Sequence, residues 1–110
     1  MEIIKASRGN LSVLQLKGRF DAHEVEPVYA WLAEQVKAGN AKIIVNLAGV
    51  NFIDSTALST LVRGLKLCRE QSGDLHICML QQPVRVIFEL TRLDKAFDIF
   101  PTEEEAAKGF

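Results

Sequence analysis

The hydrophobic positions at the start of the chain follow the pattern of two short β-strands. Ile3-Ile4 and the segment 11–16 are rich in aliphatic residues, and Arg8-Gly9-Asn10 separates them. Glycine and asparagine tolerate the positive backbone φ angles of tight hairpin turns better than other residues. The pattern therefore predicts that the chain begins with an antiparallel strand pair.

A helical pattern begins after Gly18-Arg19-Phe20-Asp21. The next apolar residues recur at intervals of three and four, which places them on one helix face; they are Val25, Val28, Tyr29, Leu32 and Val36. Pro27 fits the first turn of this helix, and Gly39-Asn40 is expected to end it. Trp31 falls off the apolar face, so we expect it either to anchor an interface or to lie partly buried over the sheet edge.

The middle of the chain alternates strands and helices. Segment 43–47 is an uninterrupted apolar run, which is typical of a strand buried on both faces of a sheet. A second inner strand is predicted at 75–80. The helix between them ends at Ser72-Gly73-Asp74, and its apolar face contains Leu58, Leu61, Val62, Leu65 and Cys68.

The last third of the chain completes an α/β pattern. Pro83 is suited to open a third helix that runs through Leu90, 97–100 is a candidate edge strand, and Thr102 with Glu105 forms a capping box for a last helix. This order predicts a mixed β-sheet of four to five strands covered by about four helices. Because no repeat, linker or low-complexity tract interrupts it, we expect a single domain over residues 1–110.

Composition and charge exclude several classes of function. The 110 residues suffice for one hydrophobic core, and 48% apolar and 25% charged residues are typical of globular proteins. A net charge of −1 lacks the basic surplus that nucleic-acid binding requires. The apolar runs are far shorter than the roughly 20 residues of a membrane-spanning helix. Residues 1–5 carry no export signal, so the cytoplasm is the expected location.

The cysteines and histidines do not form a recognisable metal or catalytic pattern. Cys68 and Cys78 lack the paired spacing of a zinc site, and we predict that both are buried and reduced. His23 and His76 are far apart, and His76 lies within a strand-like run, where a sheet-face histidine is a commoner outcome than a metal ligand. We therefore predict no metal, no cofactor and no enzymatic activity.

Asp54-Ser55-Thr56 lies at the predicted start of the second helix. The first N–H groups of a helix have no partner within it, and the helix dipole is positive there. Asp54 or Ser55 could therefore be an N-cap and nothing more. A functional interpretation needs a further observation.

That observation is a resemblance to the STAS family, specifically to its anti-sigma factor antagonists. Phe52-Ile53-Asp54-Ser55-Thr56-Ala57-Leu58 resembles the family's signature loop, in which a phosphorylatable serine follows an aspartate and precedes a small hydroxyl residue, glycine and an aliphatic residue. Further matches are Gly18-Arg19-Phe20-Asp21, Val45-Asn46-Leu47 and segment 90–97. The resemblance thus covers nearly the whole chain, and it implies the STAS fold.

The resemblance also implies a switch. Ser55 would be phosphorylated by a serine-protein kinase that is also the anti-sigma factor, and the unphosphorylated protein would bind that kinase. A phosphoserine phosphatase would reverse the modification. The implied partner contacts are Asp21, Asp54, Ser55, Thr56, Ala57 and Ser59. An alternative is an accessory subunit of a membrane transporter for lipids or anions, acting by protein contact; the retained serine favours the switch.

Two positions depart from the family pattern. Ala57 replaces the usual glycine of the signature loop, and Arg92 replaces a frequent glycine at a turn, which we interpret as a neutral change. Neither departure removes the phosphate acceptor. A phosphate on Ser55 would add a charge of about −1.5 to −2 beside Asp54, and free N–H groups at the helix start could hold it with the fold intact.

Overall fold

Five strands form one mixed sheet in the computed structural model, which describes residues 1–110. The strands are β1 (Glu2–Arg8), β2 (Leu11–Phe20), β3 (Lys42–Ile53), β4 (Asp74–Cys78) and β5 (Asp98–Phe100), and they lie side by side in chain order. β1 runs antiparallel to β2, and all other neighbours are parallel. The predicted α/β class and the opening hairpin are confirmed, and Gly9 has a φ of +60° in the hairpin turn.

Helices cover both faces of this sheet. They are α1 (Val25–Lys37), α2 (Ser55–Glu70), α3 (Gln82–Leu90) and α4 (Glu103–Lys108), with a short 3-10 helix at Leu93–Lys95. The first three pack on one face in the main core, and α4 packs on the other face in a smaller cluster around Ile44 and Ala106. Alternating strand residues reach opposite faces, so Ile43 and Val45 join the main core while Ile44 joins the smaller one.

The third strand is longer than the sequence predicts. We expected it to end at residue 47, but β3 continues through Ile53. It does so because β2 also continues. Gly18 pairs with Val50 after one register shift, and Phe20 pairs with Ile53 after a second. Gly18 has a φ of +111°, which suits the irregular backbone there. Asp54 alone separates β3 from α2.

Trp31 is buried, which favours the second of the two locations expected for it. Only 6% of the residue is exposed, and it belongs to the main core. It lies beside Lys5 and Ala6 of the edge hairpin, which confirms the alternative location over the sheet edge, with deeper burial than expected.

Tyr29 is only half-buried, and the guanidinium of Arg63 lies 4.0 Å from the centre of its ring.

Arg92 has a φ of +62°, in the left-handed region that favours glycine. A residue with a Cβ atom loses about 1 kcal/mol there relative to ordinary backbone. The replacement of the family's glycine is therefore not neutral for the backbone. It follows that the turn before the 3-10 helix carries local strain.

The cysteines are buried as predicted, and the predicted capping box forms only the hydrogen bond to Thr102. Cys68 and Cys78 are free thiols buried in the core, and burial raises the pKa of each to about 12. The hydroxyl of Thr102 accepts a hydrogen bond from the Glu105 N–H at 3.1 Å, as a helix cap should. No helix has the length and apolarity needed to cross a membrane.

Candidate phosphorylation and partner-binding site

Asp54 is the N-cap of α2. Its backbone is extended, and its Oδ1 accepts a hydrogen bond from the N–H of Ala57 at 2.9 Å. Such a cap is worth about 1 kcal/mol. Ser55 is the first residue of the helix and has no part in this capping bond. The two possible caps that the sequence left open are therefore resolved in favour of Asp54.

The same carboxylate also binds the loop that follows β2. Its Oδ2 accepts a hydrogen bond from the N–H of Ala22 at 2.9 Å, and the Asp54 N–H donates to the carbonyl of Phe20 at 3.3 Å. The parallel pairing of β2 and β3 brings these two segments to the same end of the sheet. The loop containing Asp21 is thereby joined to the start of α2, although the two lie far apart in sequence.

Asp21 provides a fixed negative charge in this loop. Its Oδ2 accepts from Arg19 Nε at 3.1 Å, its Oδ1 accepts from the His23 N–H at 3.0 Å, and 18% of its side chain is exposed. Partial desolvation acts to raise the pKa of the carboxyl, but the His23 N–H and the Arg19 cation outweigh it, so the pKa lies below its ordinary value. The Arg19 guanidinium in turn lies 3.5 Å from the ring centre of Phe52.

The predicted site residues divide into a surface group and a core residue. Ser55, Thr56 and Ser59 are exposed. Ala57 is fully buried in the main core, so this predicted partner contact has no exposed surface in the structure. The first turn of α2 thus presents hydroxyl groups to solvent while Ala57 and Leu58 attach it to the core.

A groove of about 440 Å³ extends from Ser55 along α2. Its other wall comes from the segment around the 3-10 helix, and the lining residues are Ser55, Leu58, Ser59, Val62, Arg63, Lys66, Thr91 and Leu93. Arg63 and Lys66 are exposed, as the polar face of the helix predicts. The groove is not predictable from the sequence, because no local pattern indicates that Thr91 and Leu93 lie opposite α2.

Comparisons with known proteins agree with this architecture. A family profile described as the STAS domain matches residues 2–106. BtrV of Bordetella bronchiseptica, a candidate anti-sigma factor antagonist, is 30% identical over 95 residues, which cover 86% of this chain and 82% of BtrV.

Solved structures share the fold. A candidate anti-sigma factor antagonist from Thermotoga maritima has a TM-score of 0.92 at 22% identity, covering 97% of this chain and 92% of that one. The Bacillus cell fate determinant SpoIIAA, in its phosphorylated form, has a TM-score of 0.78 at 22% identity, covering 97% of each chain. Since the family profile spans almost all of the sequence and the arrangement of strands and helices is the same, the chain belongs to the STAS domain family.

Proposed function

We propose that this protein is an anti-sigma factor antagonist that binds an anti-sigma or switch kinase when unphosphorylated and is released when Ser55 is phosphorylated. One observation carries the proposal. Asp54 caps α2, so the exposed hydroxyl of Ser55 is not needed for the cap. A residue that is accessible at a helix start and unnecessary for the cap can accept a phosphate while the helix stays intact.

The start of α2 suits a phosphate group. The backbone N–H groups of Ser55 and Thr56 belong to the first turn and have no acceptor within the helix. These groups and the positive end of the helix dipole favour an anion at this point. Modification of Ser55 should therefore change the surface charge and leave the fold unchanged.

Release of the partner follows from charge. The phosphate would add about −1.5 to −2 units beside the carboxylate of Asp54 and near that of Asp21. A partner that covers this surface would have to bury three neighbouring anions without added cations, and this raises the cost of desolvation. Each 1.4 kcal/mol lost reduces affinity about tenfold, so a modest penalty releases the partner.

The relatives support the same role. BtrV is described as a candidate anti-sigma factor antagonist, and SpoIIAA was solved in a phosphorylated form. We infer a regulatory binding protein rather than an enzyme, with one STAS domain over residues 1–110. Its partners are a serine-protein kinase that is also an anti-sigma factor and a phosphoserine phosphatase that restores the binding form, and we place it in the cytoplasm.

Phosphate mapping tests the acceptor. The chain is incubated with ATP and its partner kinase, sought first among the genes beside its own, and the modified residue is identified by mass spectrometry. We expect phosphate on Ser55, loss of modification in Ser55→Ala, and normal modification in Ser59→Ala, which removes an exposed hydroxyl one turn along the same helix. Phosphate found only at Ser59 or Thr60 would contradict the assignment.

Calorimetric titration with the kinase tests the switch. Ser55→Ala should bind in the presence of ATP, and Ser55→Asp should fold normally and bind at least tenfold more weakly. Ser72→Asp is the matched control, since it adds the same charge to an exposed residue just beyond the other end of α2. If Ser55→Asp binds as tightly as the wild type, the charge mechanism is wrong. The alternative role as an accessory subunit of a lipid or anion transporter would then gain support.

A further inference from the structure

Three side chains from two neighbouring strands meet on the sheet face covered by α4. Asp74 and His76 are two residues apart on β4, so they lie on the same face. Asp98 of β5 is the direct register partner of His76. The Nε2 atom of His76 lies 3.5 Å from Oδ2 of Asp74 and 3.8 Å from Oδ2 of Asp98. All three atoms lie within 4.8 Å of one another.

The orientation of His76 is fixed by its surroundings. Only 1% of the residue is exposed, and its Nδ1 lies 2.8 Å from the carbonyl oxygen of Ala106. A carbonyl can only accept a hydrogen bond, so Nδ1 carries the proton. The ring of Phe110 stacks on the imidazole at 3.7 Å and the ring of Phe100 lies at 4.9 Å, which prevents the imidazole from turning away.

With Nδ1 protonated, a neutral His76 directs the lone pair of its buried Nε2 at the carboxylates of Asp74 and Asp98. In the neutral imidazole with a protonated Nδ1, Nε2 has a lone pair and no hydrogen. It faces the carboxylate oxygens of Asp74 and Asp98 at near-contact distances. Three electron-rich atoms held this close repel one another unless a proton on Nε2 or a bound metal cation lies between them. A histidine whose second nitrogen donates to a backbone carbonyl is also the usual arrangement of a metal ligand.

The distances suit a small divalent ion. Zinc binds nitrogen and carboxylate oxygen at about 2.0–2.2 Å, so two ligand atoms of a tetrahedral site lie roughly 3.4 Å apart. The nitrogen–oxygen separations of 3.5 and 3.8 Å are within a few tenths of an ångström of this value. The two carboxylate oxygens lie within 4.8 Å of each other, so they would have to approach by up to about 1.4 Å. Asp98 can make this shift, since 61% of its side chain is exposed on a short edge strand.

The second oxygen of Asp74 has partners that keep it out of the site. Oδ1 accepts from Arg69 Nε at 3.2 Å and from the Leu75 N–H at 2.9 Å. These bonds hold the carboxylate with Oδ2 directed at His76. Arg69 thus orients the group as the outer hydrogen-bond partners of metal ligands do, although its positive charge lowers the affinity for a cation.

We propose that Asp74, His76 and Asp98 bind one divalent first-row transition-metal ion, represented by Zn²⁺, with a fourth position open to water. One imidazole and two carboxylates suit such an ion, and their two negative charges neutralise it. The ion would join β4 to β5, and through the Ala106 carbonyl it would fix α4. The imidazole of His76 lies on the sheet face covered by α4, and the site contains no residue of the proposed Ser55 switch; its contact with α2 is Arg69, at the opposite end of that helix from Ser55.

Titration of the metal-free full chain with Zn²⁺ tests the proposal, with Co²⁺ absorption as a second probe of ligand geometry. We expect one ion per chain and a higher melting temperature with the ion present, because a ligand that binds only the folded state stabilises it. Asp98→Asn should keep the fold, since the residue is exposed, and should weaken binding by about tenfold or more. Glu104→Gln removes an equal charge from exposed α4 and should leave binding unchanged.

Two results would overturn the site. One is no binding by the wild-type chain at micromolar Zn²⁺. The other is binding that persists unchanged in Asp98→Asn. Its loss in His23→Gln would then indicate adventitious coordination by the exposed His23. His76→Gln is a weaker test because it replaces a buried residue. The exposed Asp98 therefore gives the decisive variant.

Discussion

The carboxylate of Asp54 accepts a hydrogen bond from the backbone N–H of Ala22 at 2.9 Å and thereby connects the start of α2 to the loop after β2. Its other oxygen caps the helix through Ala57. A single side chain therefore sets both the first turn of α2 and the distance between Ser55 and the Asp21 loop. In this fold Asp54 organises the surface on which Ser55 is displayed.

Replacement of Asp54 should destabilise the protein far more than replacement of Ser55. Asp54→Ala loses a cap and a second charge-assisted hydrogen bond, so the free energy of unfolding should fall by about 2 kcal/mol in urea denaturation. Asp54→Asn retains one acceptor oxygen and should lose less. Ser55→Ala serves as the matched control, with an expected change within about 0.5 kcal/mol. An equal loss in both alanine variants would show that Ser55 shares the cap.

Arg92→Gly should stabilise the protein. The residue has a φ of +62° and is exposed, and glycine adopts this conformation without the steric cost of a Cβ atom. The expected gain in the free energy of unfolding is about 0.5–1 kcal/mol after allowance for the greater chain entropy of glycine. Arg92→Ala removes the same charge and keeps the Cβ atom, so it should give no gain. A similar increase in both variants would indicate a charge effect instead.

The two thiols should be unreactive in the folded protein. Burial is the main reason that the pKa values of Cys68 and Cys78 are raised to about 12, with nearby negative charges of Asp74 and Glu103 adding to it. The thiolate is the reactive species and is scarce far below the pKa. A thiol-specific reagent at pH 8 should therefore label neither cysteine quickly, whereas the chain unfolded in guanidinium chloride should yield two equivalents. Rapid labelling of the native chain would show that one thiol is accessible.

Several features of the site were predictable because they depend on short-range chemistry. The apolar spacing of α2 and the aspartate before it indicated a capped helix, and the run at 43–47 indicated a buried strand. The resemblance of the signature loop then singled out Ser55. The choice of Asp54 as the cap needed the structure, because aspartate and serine serve equally well at that position.

The order of strands and helices, the mixed sheet and the position of Ser55 at a helix start could all be predicted from local patterns, because periodicity and capping act over a few neighbouring residues. The burial of Trp31, the extension of β3 to Ile53 and the contact between His76 and Asp98 follow only from the three-dimensional packing. Each of these depends on which distant segment becomes the neighbour and in what register. Strand register is set by the packing of entire sheet faces and by the turns, so no local pattern in this chain indicates it.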